Sequence, residues 1–378
     1  MNNIPFSYGK IPGDSDFTDR HADLQLLENH FKALGNTIII SPRRWGKTTL
    51  VEAATRRILK KEKNFRVVRL DIFSIRDERE FYTTLVNEVL KATSSGWEEF
   101  VSTAKKFLSR LVPKVAFSAD EQAEFSFGVS WQEVQKNPDA ILDLAESIAS
   151  DKKLRIIICI DEFQNIASFS NPEAFQRKLR AHWQHHKRVA YCLYGSKRHM
   201  LTDIFTNSSK PFYKFGDIIF LEKIPAEEWI RFIIKRFEDT GKRIHPEAAA
   251  LISSLAEEHP YYVQQLSQQT WFRTTKACSE KIVVTAFEGL LDQLSLLFAS
   301  ATDSLSTRHL NLLRALIDGE TQLSSQTTLR KYGLGTSANV VKLKAALIAN
   351  DIIDDLNGRL TFLDPMYRHW LKQRFFRT

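Results

Sequence analysis

The stretch Ile38-Ile39-Ile40-Ser41-Pro42-Arg43-Arg44-Trp45-Gly46-Lys47-Thr48-Thr49-Leu50 constrains the fold more than any other. An apolar run stops at a turn, and Gly-Lys-Thr opens a helical pattern, which is the order strand, loop, helix. A loop of that kind aims backbone N–H groups inward at an anion, and the helix N-terminus adds a favourable field. Lys47 is placed to reach the β- and γ-phosphates of a nucleotide, and the Thr48 hydroxyl to hold Mg2+. Ser41, Pro42, Arg43, Arg44, Trp45, Gly46, Lys47, Thr48 and Thr49 are the expected phosphate cradle. Gly46 is expected where a Cβ would collide with the phosphates. The usual pattern opens on Gly; Ser41 fills that position here, so the backbone there must suit a residue with a Cβ.

The chain has 378 residues, enough for two or three domains. Its hydrophobic fraction of 43% and charged fraction of 26% are those of a globular protein. No apolar run approaches the ~20 residues of a membrane helix, and Met1 to Pro5 lacks the basic and apolar regions of a signal peptide. Cys159, Cys192 and Cys278 have no metal-ligand spacing, and two lie in apolar strand-like runs. A cytoplasmic chain with buried thiols and no membrane partner is expected. The net charge of +8 permits a nucleic-acid surface without demonstrating one.

The apolar pattern predicts a helix through Ala22 to Glu28, capped by Asp14, Ser15 or Thr18, then strands over Thr37 to Ile40 and Arg66 to Asp71. Helices follow over 78–92 and 97–111, a Phe- and Ser-rich hairpin insertion over 115–129, and a helix over 138–149. Leu154 to Ile160 is a continuous apolar strand, as in a parallel sheet covered on both faces. Val189 to Tyr194 and Asp217 to Leu221 complete the set. The alternation predicts an α/β doubly wound sheet with its ligand beyond the carboxyl ends of the strands. From Pro225 the strand signal vanishes and four helices are predicted. From Asp303, three helices and an Asn357-Gly358 hairpin make a winged helix-turn-helix. The expected domains are a core over 1–224, a helical lid over 225–302 and a winged helix over 303–378.

A second motif, Ile156 to Glu162, ends a buried strand in two carboxylates. Asp161 is expected on the Mg2+, and Glu162 is placed to orient and deprotonate an attacking water. In Tyr194-Gly195-Ser196-Lys197-Arg198, Ser196 either senses the γ-phosphate or caps the next helix. Both readings stand on sequence.

Phe17-Thr18-Asp19-Arg20, the Ser41 to Thr48 loop, Asp161-Glu162-Phe163-Gln164, Gly195-Ser196, His259-Pro260-Tyr261-Tyr262 and Asp364-Pro365-Met366-Tyr367 occur in that order. The set resembles the archaeal-type ATPase family of archaea and bacteria. That family is akin to the STAND signalling ATPases and to the origin-recognition clade of AAA+ proteins. The resemblance implies an AAA+-like P-loop core, a helical lid, a C-terminal winged helix, and ATP or ADP with Mg2+ as ligands. It places Arg20 near the adenine and Pro260 over the base or ribose. It makes Lys47, Glu162 and Ser196 the catalytic set and Thr48 and Asp161 the metal ligands. Relatives usually carry Gly two residues before Pro260, where this chain has Glu258.

No arginine finger stands out; Lys214, Arg180 and Arg198 are the candidates. Phe175 to Thr202 holds no acid, which reads as a solvated helix beside an anionic ligand or as a partner face. The 303–378 segment has 11 Lys and Arg against 7 Asp and Glu. If it binds duplex DNA, Ser337 to Asn350 is the recognition helix, with Lys342 and Lys344 on phosphates and Asn339 on a base. Two function classes follow. One is an ATPase whose nucleotide state moves a lid and winged helix on DNA or a DNA-associated partner. The other is an ADP/ATP switch that assembles with protein partners or itself and does not bind DNA.

Overall fold

The computed structural model describes residues 4–9, 19–108, 116–119, 125–128, 138–356 and 358–377. It divides into two compact units, one from Arg20 to Glu222 and one holding the N-terminal residues with Lys223 onward.

The first unit is built on a five-stranded parallel sheet. Helix α1 (His21–Lys32) leads into strand β1 (Thr37–Ile40), whose four residues are all buried. Helix α2 (Lys47–Lys61) then carries the chain to β2 (Phe65–Asp71). Helices α3 (Glu78–Thr93) and α4 (Trp97–Leu108) follow, and then the two strands of the expected insertion. These, β3 (Ala116–Ala119) and β4 (Phe125–Gly128), pair antiparallel with Phe117 opposite Phe127. The expected continuation of α4 to residue 111 lies outside the described residues, as do the cap candidates Asp14, Ser15 and Thr18 of α1. Arg20 stands at the N-terminal boundary of α1 with a left-handed φ of 60° and no side-chain cap.

The single helix expected over 138–149 is two, Pro138–Leu142 and Leu144–Asp151. Beyond them come β5 (Arg155–Asp161), β6 (Val189–Gly195) and β7 (Asp217–Phe220). The strand order is β2-β5-β6-β1-β7. Register fixes what meets what. Asp71 pairs with Asp161 across β2 and β5, and Ile40 pairs with Gly195 across β1 and β6. Every functional residue read from the strand ends therefore lies on one carboxyl edge, where open α/β sheets bind ligands. The faces of the sheet are closed by apolar side chains. Trp183 stacks on Tyr191 at 4.2 Å, and Phe163 packs edge-on to Phe212.

The second unit is helical. Phe6, expected within the 1–224 module, is buried here instead, against Phe232 and Phe237, and Gln268 Nε2 donates to its carbonyl at 2.8 Å. The helices Ala226–Glu238, Pro246–Leu255, Pro260–Arg273 and Glu280–Asp303 share that core. The strand signal does not quite vanish: β8 (Arg243–Ile244) and β9 (Ala277–Cys278) form a two-residue parallel ladder. Glu280–Asp303 is long and apolar enough by length and composition to cross a membrane, although polar residues break its apolar sequence into short runs. Its Val283, Phe287, Leu290, Leu291 and Phe298 are buried in the core of this unit, while Val284, Leu296 and Leu297 are exposed.

Helices Thr307–Ile317, Gln326–Tyr332 and Ser337–Ala349 precede an antiparallel wing. The wing is β10 (Ile353–Leu356) with β11 (Arg359–Phe362). Gly358 takes the positive φ of 86° that its turn requires, and Asn357 lies outside the described residues. A last helix, Pro365–Trp370, is tied in by Tyr262, whose hydroxyl donates to Asp364 at 2.5 Å.

Candidate nucleotide-binding site

Residues 41–46 leave β1 and turn into α2. Ser41 is wholly buried and its hydroxyl donates to the Pro42 carbonyl at 3.2 Å. It is not among the residues with left-handed backbone, which is why a Cβ is tolerated at the position the usual pattern gives to glycine. The left-handed residues of the loop are Arg44, at φ 63°, and Gly46, at φ 90°. No protein atom lies within 4 Å of a Cβ built on Gly46. Its glycine is thus explained by backbone conformation rather than by crowding within the protein.

The loop delivers Lys47 and Thr48 onto the first turn of α2, across from the end of β5. The Thr48 hydroxyl donates to Asp161 Oδ2 at 3.1 Å, and Lys47 Nζ lies 3.9 Å from Glu162 Oε1. Lys47 is only 6% exposed, so its charge is poorly hydrated and the two acids are its natural partners. Burial pushes the Asp161 carboxyl above its ordinary value, with the Glu162 charge adding to this and Lys47 opposing it. Burial works on Glu162 in the same direction. There, bonds from Gln164 and Ser196 and the charge of Lys47 together win, and the carboxyl is held below its ordinary value. The two neighbouring acids are thus shifted in opposite directions, Asp161 upward by burial and Glu162 downward by its donors and Lys47.

Glu162 is fixed in detail. Its backbone is left-handed at φ 54°. Its Oε2 accepts from the Ser196 hydroxyl at 2.9 Å, from the Ser196 N–H at 3.3 Å, and from Gln164 Nε2. Arg43 Nε donates to the Ser196 hydroxyl at 3.2 Å, joining the loop to the same network. The cap reading of Ser196 is overturned, because the boundary residue of the helix Arg198–Thr206 is Lys197 and no side chain caps it. Ser196 bonds Glu162 instead.

Two members of the network had no assigned role on sequence. Gln164 is 1% exposed, and its Oε1 has no hydrogen-bond partner among the described residues. It fits because residue 195 is glycine. A Cβ at Gly195 would stand 1.9 Å from Gln164 Oε1 and 3.3 Å from the Glu162 Cα. The only sequence signal was the pair of short motifs Asp161 to Gln164 and Gly195-Ser196.

Arg20 spends its guanidinium on the Glu222 carbonyl at 2.6 Å and on Asp23 at 3.2 Å. Pro260 opens its helix in the second unit, after Glu257 and Glu258 at φ 49° and 55°. The position that usually holds glycine is thus left-handed here too. Lys223 and Arg368 pair with this turn through Glu258 at 3.6 Å and Glu257 at 2.7 Å. Arg180 and Arg198 lie over the rings of Phe215 and Phe220, and Lys214 over Tyr213.

The acid-free stretch finds its acids on neighbouring helices. His182 and His186 both meet Asp143 Oδ1, at 2.9 and 3.1 Å, and Lys178 lies 3.6 Å from Glu78. On the winged helix, Asn339 Nδ2 sits 2.6 Å from where a Gly335 Cβ would stand. That amide folds back on its own helix N-terminus. Val341 is 65% exposed on the same helix, beside exposed Lys342.

No protein-family model matches the chain, and no curated protein does. Solved structures do. The Walker-type ATPase of Pyrococcus abyssi is 16% identical, covers 97% of this chain and 99% of its own, and superposes with a TM-score of 0.65. The ORC2 protein of Aeropyrum pernix in its ADPNP–ADP complexes is 16% identical over 96% of this chain and 94% of its own, with a TM-score of 0.55. The ADP form of that protein gives 15% identity, 96% and 93% coverage, and a TM-score of 0.51. At such identity the likeness speaks to the fold alone, an α/β parallel-sheet unit with a helical C-terminal region that resembles AAA+ ATPases.

Proposed function

We propose that this chain binds ATP with Mg2+ at the carboxyl edge of the sheet and hydrolyses it. The observation that carries the reading is the meeting of Lys47 with Glu162 at 3.9 Å and of Thr48 with Asp161 at 3.1 Å. A buried ammonium and a set of loop amides suit the phosphates, and the acids suit a cation and a water.

Thr48 and Asp161 would hold the Mg2+, which neutralises charge on the phosphates. Asp161 fits that role because a cation there would offset the burial that pushes its carboxyl upward. Glu162 fits the role of base, being anionic and aimed by Gln164 and Ser196. Arg43 and Ser196 link the loop to that base, so a ligand in the loop bears on Glu162 through two hydrogen bonds. Pro260 and Arg20 are proposed on the base or ribose side. Nucleotide state is proposed to reposition the lid and winged helix over 225–302 and 303–378, acting on DNA or a DNA-associated partner in the cytoplasm.

The winged helix favours a second reading for its own surface. Its best base reader, Asn339, is turned back, and the helix exposes small residues (Ser337, Ala338, Ala345, Ala349) around Val341 and Lys342. That face suits a protein partner, as in an ADP/ATP switch that assembles rather than grips duplex.

The test is steady-state phosphate release by wild type and Glu162→Gln. Loss of a general base predicts a drop of about 10²- to 10⁴-fold with nucleotide affinity retained. Equal turnover by the two proteins would remove Glu162 from the mechanism.

A further inference from the structure

The amino edge of the same sheet carries a different surface. Parallel pairing gathers the turns that enter β2, β5 and β6. The Arg155 N–H donates to the Asn64 carbonyl and the Ile156 N–H to the Arg188 carbonyl, each at 2.9 Å. With strands about 4.8 Å apart, the three turns lie within roughly 10 Å of one another. Residues 60–66, 151–155 and 184–188 hold nine Lys and Arg against two acids.

Part of that excess has a local cause. Helices α2, Leu144–Asp151 and Pro172–Trp183 all end at this edge, and each C-terminus carries about half a negative charge. Lys60 and Lys61 sit in such a last turn, and Lys61 also pairs with the buried Glu28 at 3.0 Å. Lys152 pairs with Glu99 at 2.6 Å. Six cations remain outside the helices: Lys63, Arg66, Lys153, Arg155, Lys187 and Arg188. Among the described residues none of the six side chains has a carboxylate partner within ion-pair distance. Arg66 caps the carbonyls of Lys63 and Phe65, and Arg155 lies over the Phe65 ring. Lys63, Lys153 and Lys187 are exposed.

We infer that this edge binds the phosphate backbone of a nucleic acid duplex. Protein partners are recognised through exposed apolar or aromatic anchors. Residues 60–66, 151–155 and 184–188 expose no such side chain, only Asn64, Gln184, His185 and Asp151 between the cations, and Asp151 is taken up by Lys106 at 2.6 Å; a single leucine, Leu59, is exposed in the last turn of α2. That composition, cationic and polar without an apolar centre, is the composition of a phosphate-tracking surface. The seven residues of β5 place Arg155 about 20 Å from Asp161, so the surface is separate from the nucleotide site. It also places the duplex on the sheet-bearing unit rather than on the winged helix.

The experiment is fluorescence anisotropy of a labelled 20-base-pair duplex of arbitrary sequence, without nucleotide, across 50–200 mM NaCl. The full-length chain is compared with the Lys63→Ala/Lys153→Ala/Lys187→Ala triple variant, whose exposed sites leave the melting temperature unchanged. The triple variant is expected to bind at least tenfold more weakly, with a log–log salt slope shallower by about 2.7 for three lost phosphate contacts. Lys342→Ala/Lys344→Ala and Lys47→Ala are each expected to bind like wild type. An error in the nucleotide site would therefore leave this result untouched. Wild-type binding by the triple variant, no duplex binding at 50 mM salt, or equal competition by a polyglutamate peptide of matched charge would each overturn the assignment.

Discussion

Replacing Gly195 by Ala tests whether the carboxylate network is held by shape. The new Cβ would stand 1.9 Å from Gln164 Oε1, 3.0 Å from its Cδ and 3.3 Å from the Glu162 Cα. The first contact is with the end of a flexible side chain, which ordinarily moves at little cost. Here Gln164 is 1% exposed and bonded to Glu162, so moving it breaks a hydrogen bond to a charged group. That loss is about 1.5–3 kcal/mol, and overpacking adds about 1–3 kcal/mol. We take about 3 kcal/mol as the expected destabilisation, a fall of about 6–12 °C in melting temperature for a unit of this size. The decisive measurement is a double-mutant cycle. Gln164→Ala removes the obstructing group, so Gly195→Ala should cost little in that background. A coupling energy of about 2 kcal/mol is expected, within the range for residues in contact. Additive effects, or a Gly195→Ala protein that melts like wild type, would refute the steric argument.

Asp161→Asn should raise the melting temperature by a few degrees while abolishing Mg2+-dependent nucleotide binding. The native carboxyl sits above its ordinary value, so at neutral pH its charge opposes folding, and the neutral side chain lifts that penalty. Differential scanning fluorimetry with and without MgATP reads both effects. Glu28→Ala should cost about 1.5–3 kcal/mol, because it removes a buried carboxylate that accepts from Arg57 and Lys61 at 3.1 and 3.0 Å, while those half-exposed cations return to water. The Glu28 carboxyl is held below its ordinary value: burial opposes this, but the bonds and charges of Lys61 and Arg57 outweigh it. A depressed carboxyl stabilises above its unfolded value and loses that contribution as pH falls through the folded one. The gap in melting temperature between wild type and Glu28→Ala should therefore narrow on acidification, as a series of melts below pH 5 would show.

What the sequence revealed and what it hid follow from one distinction. Lys47, Thr48, Asp161 and Glu162 were legible because their chemistry is carried by residue type at the end of an apolar run. Strands β1, β5 and β6 were legible because strands buried on both faces leave continuous apolar tracts. Gln164 and Gly195 were not, since their part depends on a close approach between the segment after β5 and the end of β6. Nothing in a linear chain marks a missing Cβ as clearance for a residue 31 positions away. The two-residue strands β8 and β9 are too short for any alternation to register. Phe6 lies far in sequence from Phe232 and Phe237, so its place in the helical unit carried no local signal.

The central claim is that a nucleotide triphosphate sits between Lys47 and the paired acids, and isothermal titration of a non-hydrolysable ATP analogue with Mg2+ tests it most directly. One molar equivalent should bind wild type and Glu162→Gln with similar affinity, and Lys47→Ala should bind at least a hundredfold more weakly. Equal binding by Lys47→Ala and wild type, or no heat with any of the three proteins, would contradict it.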